Sequence, residues 1–107
     1  MNEMLQVTDA EFDEVMKAPF AIVEFWAPWC GGCKAAKPTM ARIADELKGQ
    51  VLLVGADIDT APKATEQYEI TAIPTLVLFK DGKEFHRMEA TEPYRTMMPK
   101  IKGKFGI

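Results

Sequence analysis

The sequence predicts an α/β sandwich built around a mixed β-sheet. Apolar runs rich in β-branched and aromatic residues alternate along the chain with segments in which apolar residues recur at helical spacing. A tight-turn signal near the end joins the last two strands as an antiparallel hairpin, which makes the sheet mixed. We expect a single domain, residues 1–107, because a chain of 107 residues can bury a core without cross-links.

The first half of the chain predicts two helices and one strand. Thr8 and Glu11 fit a capping box, and the apolar residues that follow have the spacing of a short amphipathic helix. Phe20–Trp26 (FAIVEFW) is apolar almost throughout, which is typical of a central strand buried on both faces. A helical pattern then runs from Cys33 to Lys48, and Pro38 inside it is expected to kink the helix.

The middle of the chain predicts a second buried strand and a short helix. The strand is Val51–Asp57 (VLLVGAD). Either Asp59 or Thr60 is expected to cap the helix, which has Pro62 in its first turn and runs to about Tyr68.

The last part predicts a hairpin and a terminal helix. Thr75–Phe79 is a third strand, and the turn Asp81–Gly82 leads to a fourth strand, Lys83–Met88. Apolar residues at helical spacing follow from Tyr94 onward, and Pro99 is expected to bend or split this helix.

The composition argues against nucleic-acid and membrane functions. The formal net charge is −3, so the surface has no strong basic field for nucleic acid. No apolar run approaches the roughly 20 residues that span a bilayer. The first residues are acidic where a signal peptide needs a basic start, so we expect a cytoplasmic protein.

Cys30 and Cys33 are the only cysteines and lie in the stretch FWAPWCGGCK. As a structural staple they would close too short a loop to constrain the unfolded chain much. A zinc site needs about four ligands, and the single histidine, His86, lies far along the sequence, so only a site shared between subunits stays open. His86 also has no neighbouring pattern that would make a cysteine protease.

A redox couple is the interpretation that the cysteine pair favours. Cys30 comes where a buried strand ends and a helix begins, and the partial positive charge of a helix N-terminus favours thiolate over thiol. Cys33 follows one helical turn later on the same face, at a separation compatible with a disulfide. Cys30 can therefore attack a substrate disulfide, and Cys33 can resolve the mixed disulfide.

The stretch FWAPWCGGCK, followed by Ala72–Thr75 (AIPT), resembles the thioredoxin family, and the similarity runs from about Leu5 to the terminal helix. The resemblance implies a thioredoxin fold, a three-layer α/β/α sandwich whose central mixed β-sheet is flanked by about four helices. It also implies a monomeric thiol–disulfide oxidoreductase that reduces protein disulfides, uses no bound cofactor or metal, and is regenerated by a thioredoxin reductase.

The resemblance assigns further residues to the site. Trp29 matches the tryptophan that shields the cysteines and contacts partners. Pro74 matches the family's cis-proline, and Ile73 before it would offer backbone groups to an extended substrate. The substrate-binding residues expected in this way are Trp29, Gly31, Gly32, Ile73, Pro74 and Ala90.

Glu24 interrupts an otherwise apolar strand, where burial of an ionised carboxylate is costly. We expect its pKa to be raised, so that it stays partly protonated. The family usually has an aspartate here that accepts a proton from the resolving cysteine, and Glu24 is expected to do the same for Cys33. The alternative is a glutamate bent towards solvent near the end of the sheet.

The sequence departs from the family at several positions near the site. Gly32 replaces a proline, Gly55 stands where many members have a lysine near the buried acid, and Ala90 stands where a glycine is common. Because proline would fix φ in the first helical turn, Gly32 is expected to move the redox potential towards the oxidising side.

Two other functions stay open at this point. A more oxidising member of the family would act as an isomerase. A redox-inert adaptor would bind partners through Trp29, Ile73 and Ala90, with the cysteines incidental.

Overall fold

The computed structural model describes residues 4–89 and 92–107. Within these residues, five strands form one sheet and four α-helices pack on it. The strands are β1 (Leu5–Gln6), β2 (Phe20–Trp26), β3 (Leu52–Asp57), β4 (Thr75–Lys80) and β5 (Lys83–Glu89). The helices are α1 (Phe12–Val15), entered through a 3₁₀ turn at Asp9–Glu11, α2 (Gly31–Glu46), α3 (Pro62–Gln67) and α4 (Tyr94–Phe105).

The sheet is mixed, as predicted, with the strand order β1-β3-β2-β4-β5. β3 pairs in parallel with both β1 and β2, whereas β4 runs antiparallel to β2 and to β5. The apolar strand β2 is therefore central, which explains why both of its faces are buried.

Two apolar clusters cover the two faces of the sheet and give it the three layers that were expected. The first, called here the α2/α4 face, contains Ile22, Leu53, Leu76 and Leu78 from the strands and Met40, Ile43, Leu47, Met97, Ile101 and Phe105 from the helical side. The second, the α1/α3 face, contains Val23, Phe25, Val54, Val77 and Phe79 together with Phe12, Val15 and Ala64. None of the described helices is long and apolar enough to cross a membrane.

Two local sequence signals are confirmed. The Thr8 hydroxyl accepts from the Ala10 N–H at 3.2 Å, and the Glu11 carboxylate accepts from the Thr8 N–H at 2.9 Å, so the capping box is present. At the β4–β5 turn, Asp81 and Gly82 have φ of 51° and 78°. Both central residues of a type I′ hairpin need this positive φ, which is why an Asp-Gly pair occurs there.

The predicted cap of α3 is wrong. Ala61, not Asp59 or Thr60, is the N-cap residue, and its side chain makes no capping hydrogen bond. The Asp9 carboxylate supplies the cap instead, accepting from the N–H groups of Lys63 and Ala64, both at 3.0 Å. A residue far away in sequence thus satisfies the donors that a local cap would otherwise take.

The two prolines inside helices do not interrupt them. α4 runs from Tyr94 to Phe105 without a break at Pro99, so of the predicted bend or split the split does not occur. α2 is likewise continuous through Pro38, where a kink stays a prediction. The sequence does not predict β1, which is only two residues long.

Candidate functional site

Cys30 lies at the junction between the central strand and α2. It is the N-cap residue of α2, and its Sγ accepts a hydrogen bond from the Cys33 N–H at 3.2 Å. This N–H is one of the donors that the first turn of a helix leaves unpaired. The Cys30 side chain is only partly buried, so its sulfur lies at the surface with a helix N-terminus directed at it.

Cys33 has a different environment from Cys30 although it is one turn away. It is buried, with 4% of its surface exposed, and both cysteines are free thiols in the structure. Burial raises the pKa of the Cys33 thiol well above its usual range, and a hydrogen bond to the Cys30 sulfur raises it further. The two thiols are therefore unequal: one is accessible, and the other is shielded and holds its proton.

The segment before β4 packs beside the cysteine pair. The Cys30 thiol lies 3.9 Å from the Ile73 carbonyl oxygen. The Ile73–Pro74 peptide bond is cis, as the resemblance implied. A Cβ added to Gly32 would lie 3.7 Å from Cδ of Pro74, whereas one added to Gly31 would meet nothing within 4 Å. The structure thus brings Ile73, Pro74 and Gly32 together at Cys30 and leaves Gly31 open to solvent.

Trp29 stands beside the cysteines with 65% of its surface exposed. Its indole Nε1–H donates to Oδ2 of Asp59 at 3.0 Å, so this large exposed ring is held at one edge. The sequence pattern indicates Asp59 only as a candidate helix cap and gives no sign of this contact. No local pattern could reveal it, because the two residues are joined only by the folding of β3 beside β2.

Glu24 is buried in β2, with 4% of its surface exposed, so the alternative of a glutamate bent towards solvent is wrong. Its neighbours across the sheet are Gly55 on β3 and Leu76 on β4. Burial raises the pKa of Glu24 to about 7. The carboxylate charge of Glu24 is also among the causes that raise the pKa of Cys33.

Gln6 is a second residue whose place beside the site no sequence pattern indicates. Its Oε1 accepts from the Trp26 indole Nε1–H at 2.8 Å, and its amide group lies over Gly55. The space that a lysine at position 55 would take thus holds the neutral amide of Gln6.

Ala90, the remaining predicted substrate-binding residue, lies outside the residues that the structure describes. In the described ranges 4–89 and 92–107, no group of three or more His, Cys, Asp or Glu side chains lies close enough together to hold a metal ion.

Comparisons with known proteins agree with this geometry. The family model described as Thioredoxin matches residues 3–103 of the chain. Thioredoxins of Staphylococcus aureus strains Mu50, MW2 and N315 are each 36% identical over 90 residues, which cover 84% of this chain and 86% of the relative. With two free cysteines one helical turn apart in that matched region, the chain belongs to the thioredoxin family of thiol–disulfide oxidoreductases.

Proposed function

We propose that the protein reduces disulfide bonds in other proteins, with Cys30 as the nucleophile and Cys33 as the resolving thiol. The observation that carries this proposal is the inequality of the two thiols. Cys30 is accessible at a helix N-terminus, while Cys33 is buried and protonated beside a carboxyl group of raised pKa. An exchange couple needs this asymmetry, because one sulfur must reach the substrate and the other must wait.

The first step joins the protein to its substrate. The Cys30 thiolate attacks one sulfur of the substrate disulfide, so a Cys30–substrate bond forms and the substrate S–S bond breaks. The second substrate sulfur leaves as a thiolate and takes a proton from water. The electron pair of the Cys30 sulfur now lies in the mixed disulfide.

The second step releases the substrate and oxidises the protein. Cys33 loses its proton and attacks the Cys30 sulfur, which forms the Cys30–Cys33 disulfide and expels the first substrate sulfur as a thiolate. Two electrons have then moved from the protein to the substrate. Because burial disfavours a free Cys33 thiolate, the proton needs a nearby acceptor, and we assign this role to the Glu24 carboxylate.

Substrate docking is assigned to the surface around Cys30. The exposed Trp29 ring offers a broad apolar contact, and Gly31 and Gly32 keep the approach to the sulfur open. Within the part of the chain that the structure describes, no backbone–backbone hydrogen bond uses the N–H or C=O of Ile73, and the C=O has only the long 3.9 Å contact with the Cys30 thiol. These groups can therefore pair with an extended substrate segment as a short added strand.

The proposal also includes how the Cys30–Cys33 disulfide is reduced again and in which compartment the protein works. The Cys30–Cys33 disulfide needs two electrons and two protons to return to the dithiol, and a thioredoxin reductase is the partner that fits this chemistry. A monomer with Cys30 accessible at one edge suits both encounters. The cytoplasm, where reductants keep thiols reduced, stays a prediction.

Reduction of insulin with dithiothreitol as the electron source tests the function. We expect turnover by the wild type and none above background for Cys30→Ser, because the nucleophile is lost. Cys33→Ser, reduced and then freed of dithiothreitol before insulin is added, should retain the first step and accumulate a mixed disulfide that mass spectrometry detects. Equal background rates for wild type and Cys30→Ser would contradict the proposal and favour a redox-inert adaptor.

A second experiment tests Glu24. Glu24→Gln cannot accept the Cys33 proton, so we expect insulin reduction to slow by up to about 100-fold while the protein stays folded. Turnover equal to that of the wild type from pH 6 to 8 would remove Glu24 from the mechanism.

A further inference from the structure

The side chain of Gln6 reaches across a whole strand of the sheet. Gln6 on β1, Gly55 on β3 and Glu24 on β2 are aligned by the register of three adjacent strands. Aligned residues of neighbouring strands point to the same face. Since Gly55 has no side chain, a gap one strand wide separates Gln6 from Glu24.

The Gln6 amide fills this gap. A Cβ on Gly55 would lie 2.5 Å from Nε2 and 2.6 Å from Oε1 of Gln6, so the amide occupies the volume that a side chain at position 55 would take. At its far end, Oε1 accepts from the Trp26 Nε1–H at 2.8 Å. Trp26 follows Glu24 by two residues on β2 and therefore lies on the same face. The Gln6 side chain and its bond to Trp26, called here the Gln6 bridge, therefore pass beside Glu24.

We propose that Gln6 is a positioning residue of the site: its amide holds the Trp26 indole and covers the side of Glu24 that glycine at position 55 would otherwise leave open to water. The proposal rests on the proposed role of Glu24 as proton acceptor, because cover over Glu24 matters for function only if Glu24 exchanges a proton with Cys33.

The surroundings of Glu24 indicate that solvent access, rather than neighbouring charge, sets the pKa of its carboxyl group. Its raised pKa is caused by burial. Leu76, its partner on β4, is apolar, and the buried residues of α4 are apolar as well: Met97, Met98, Ile101 and Phe105. The ionisable groups on α2 are Cys33, which is buried, and five exposed residues: Lys34, Lys37, Arg42, Asp45 and Glu46. β3 adds the half-buried Asp57 at its end.

An NMR titration of the Glu24 side-chain carboxyl carbon tests the proposal, because it reads the Glu24 pKa whether or not the protein reduces disulfides. Gln6→Ala removes both the cover and the indole bond. We expect the pKa of Glu24 to fall from about 7 towards 4.5, by about one unit, and the Trp26 indole proton to move upfield. The pH profile of insulin reduction should move in the same direction.

Two further variants separate the cover over Glu24 from the hydrogen bond to the Trp26 indole. Gln6→Met keeps a side chain of similar length without a hydrogen-bond acceptor, so we expect the indole shift without the change in the Glu24 pKa. Leu5→Ala, at the neighbouring β1 position where 62% of the side chain is exposed, should change neither readout.

An unchanged Glu24 pKa in a folded Gln6→Ala protein would overturn the inference, as would equal falls in Gln6→Ala and Leu5→Ala. If the pKa falls while Glu24→Gln reduces insulin at the wild-type rate, the inference about Gln6 stands and the proposed role of Glu24 fails.

Discussion

The free energy of unfolding of the wild type is expected to decrease as pH rises because Glu24 ionises, and Glu24→Gln should abolish this decrease. Burial raises the pKa of Glu24 from 4.5 to about 7. Between these values the unfolded chain has already released a proton that the folded protein still holds, so the free energy of unfolding decreases with rising pH. Below 4.5 both states are protonated and no loss occurs; above 7 both are ionised and the loss is complete.

The size of this loss follows from the displacement of the pKa. At about 1.4 kcal/mol per unit, the shift from 4.5 to about 7 corresponds to about 3 kcal/mol. That is a large part of the roughly 5–15 kcal/mol by which a small domain is stable. Glutamine does not ionise, so the variant lacks this dependence. Burial of its amide adds only an offset that is the same at every pH.

Urea denaturation of the reduced protein measures the effect. Midpoints and slopes for wild type and Glu24→Gln at pH 5 and pH 8, with a phosphine reductant present, give the two free energies of unfolding. We expect the variant to gain most of the 3 kcal/mol relative to the wild type between these pH values. Glu66→Gln, at an exposed position of α3, makes the same charge change and should follow the wild type. A difference between Glu24→Gln and wild type that is equal at pH 5 and pH 8 would refute the reasoning.

Three further predictions concern the other contacts. Asp9→Ala should lower the free energy of unfolding by about 1 kcal/mol in urea denaturation, because it uncaps α3, and Asp9→Asn should lower it less. Asp59→Ala frees the Trp29 indole and should raise the KM for insulin about fivefold, with the reduction of a small aromatic disulfide unchanged; an equal effect on both substrates would contradict docking by Trp29. Gly32→Pro should move the potential measured against glutathione towards the reducing side, because proline fixes φ in the first helical turn. A Cβ at this position needs no repacking around Pro74, so the variant should fold. An unchanged potential would make the glycine a neutral variation.

The sheet and its helices could be predicted because their signals are local and consistent. β2 is a run of one strand's length that is apolar except for Glu24, and the Asp81–Gly82 pair selects its turn without help from the rest of the chain. The cysteine pair could be interpreted for the same reason, since strand end, helix start and the spacing of Cys30 and Cys33 lie within a few residues. Glu24 was conspicuous because a charged residue is rare in such a strand.

Pro99 shows where a local rule loses to tertiary packing. Proline removes one backbone hydrogen bond and crowds the preceding turn, so a split helix is the local expectation. In the structure Met97, Met98, Ile101 and Phe105, on both sides of Pro99, are all buried against the α2/α4 face. A split at Pro99 would withdraw part of this apolar surface, and the free energy gained by burying it favours the continuous helix.

Two of the contacts that the sequence concealed have one physical cause in common. Asp9 caps α3 across 54 and 55 residues of sequence, and Gln6 holds Trp26 across 20. Periodicity and capping patterns report only residues within a turn or two, so neither contact leaves a trace in them. Both arise because β1 docks on β3 and brings the short segment from Gln6 to Asp9 over the sheet edge. That segment therefore caps α3 and, in the role proposed above for Gln6, also covers Glu24. Substitutions in it should alter proton exchange at Glu24 and the stability of α3 independently. A variant combining Gln6→Ala with Asp9→Ala should therefore show the change in the Glu24 pKa and the loss of unfolding free energy at the sizes found in the single variants.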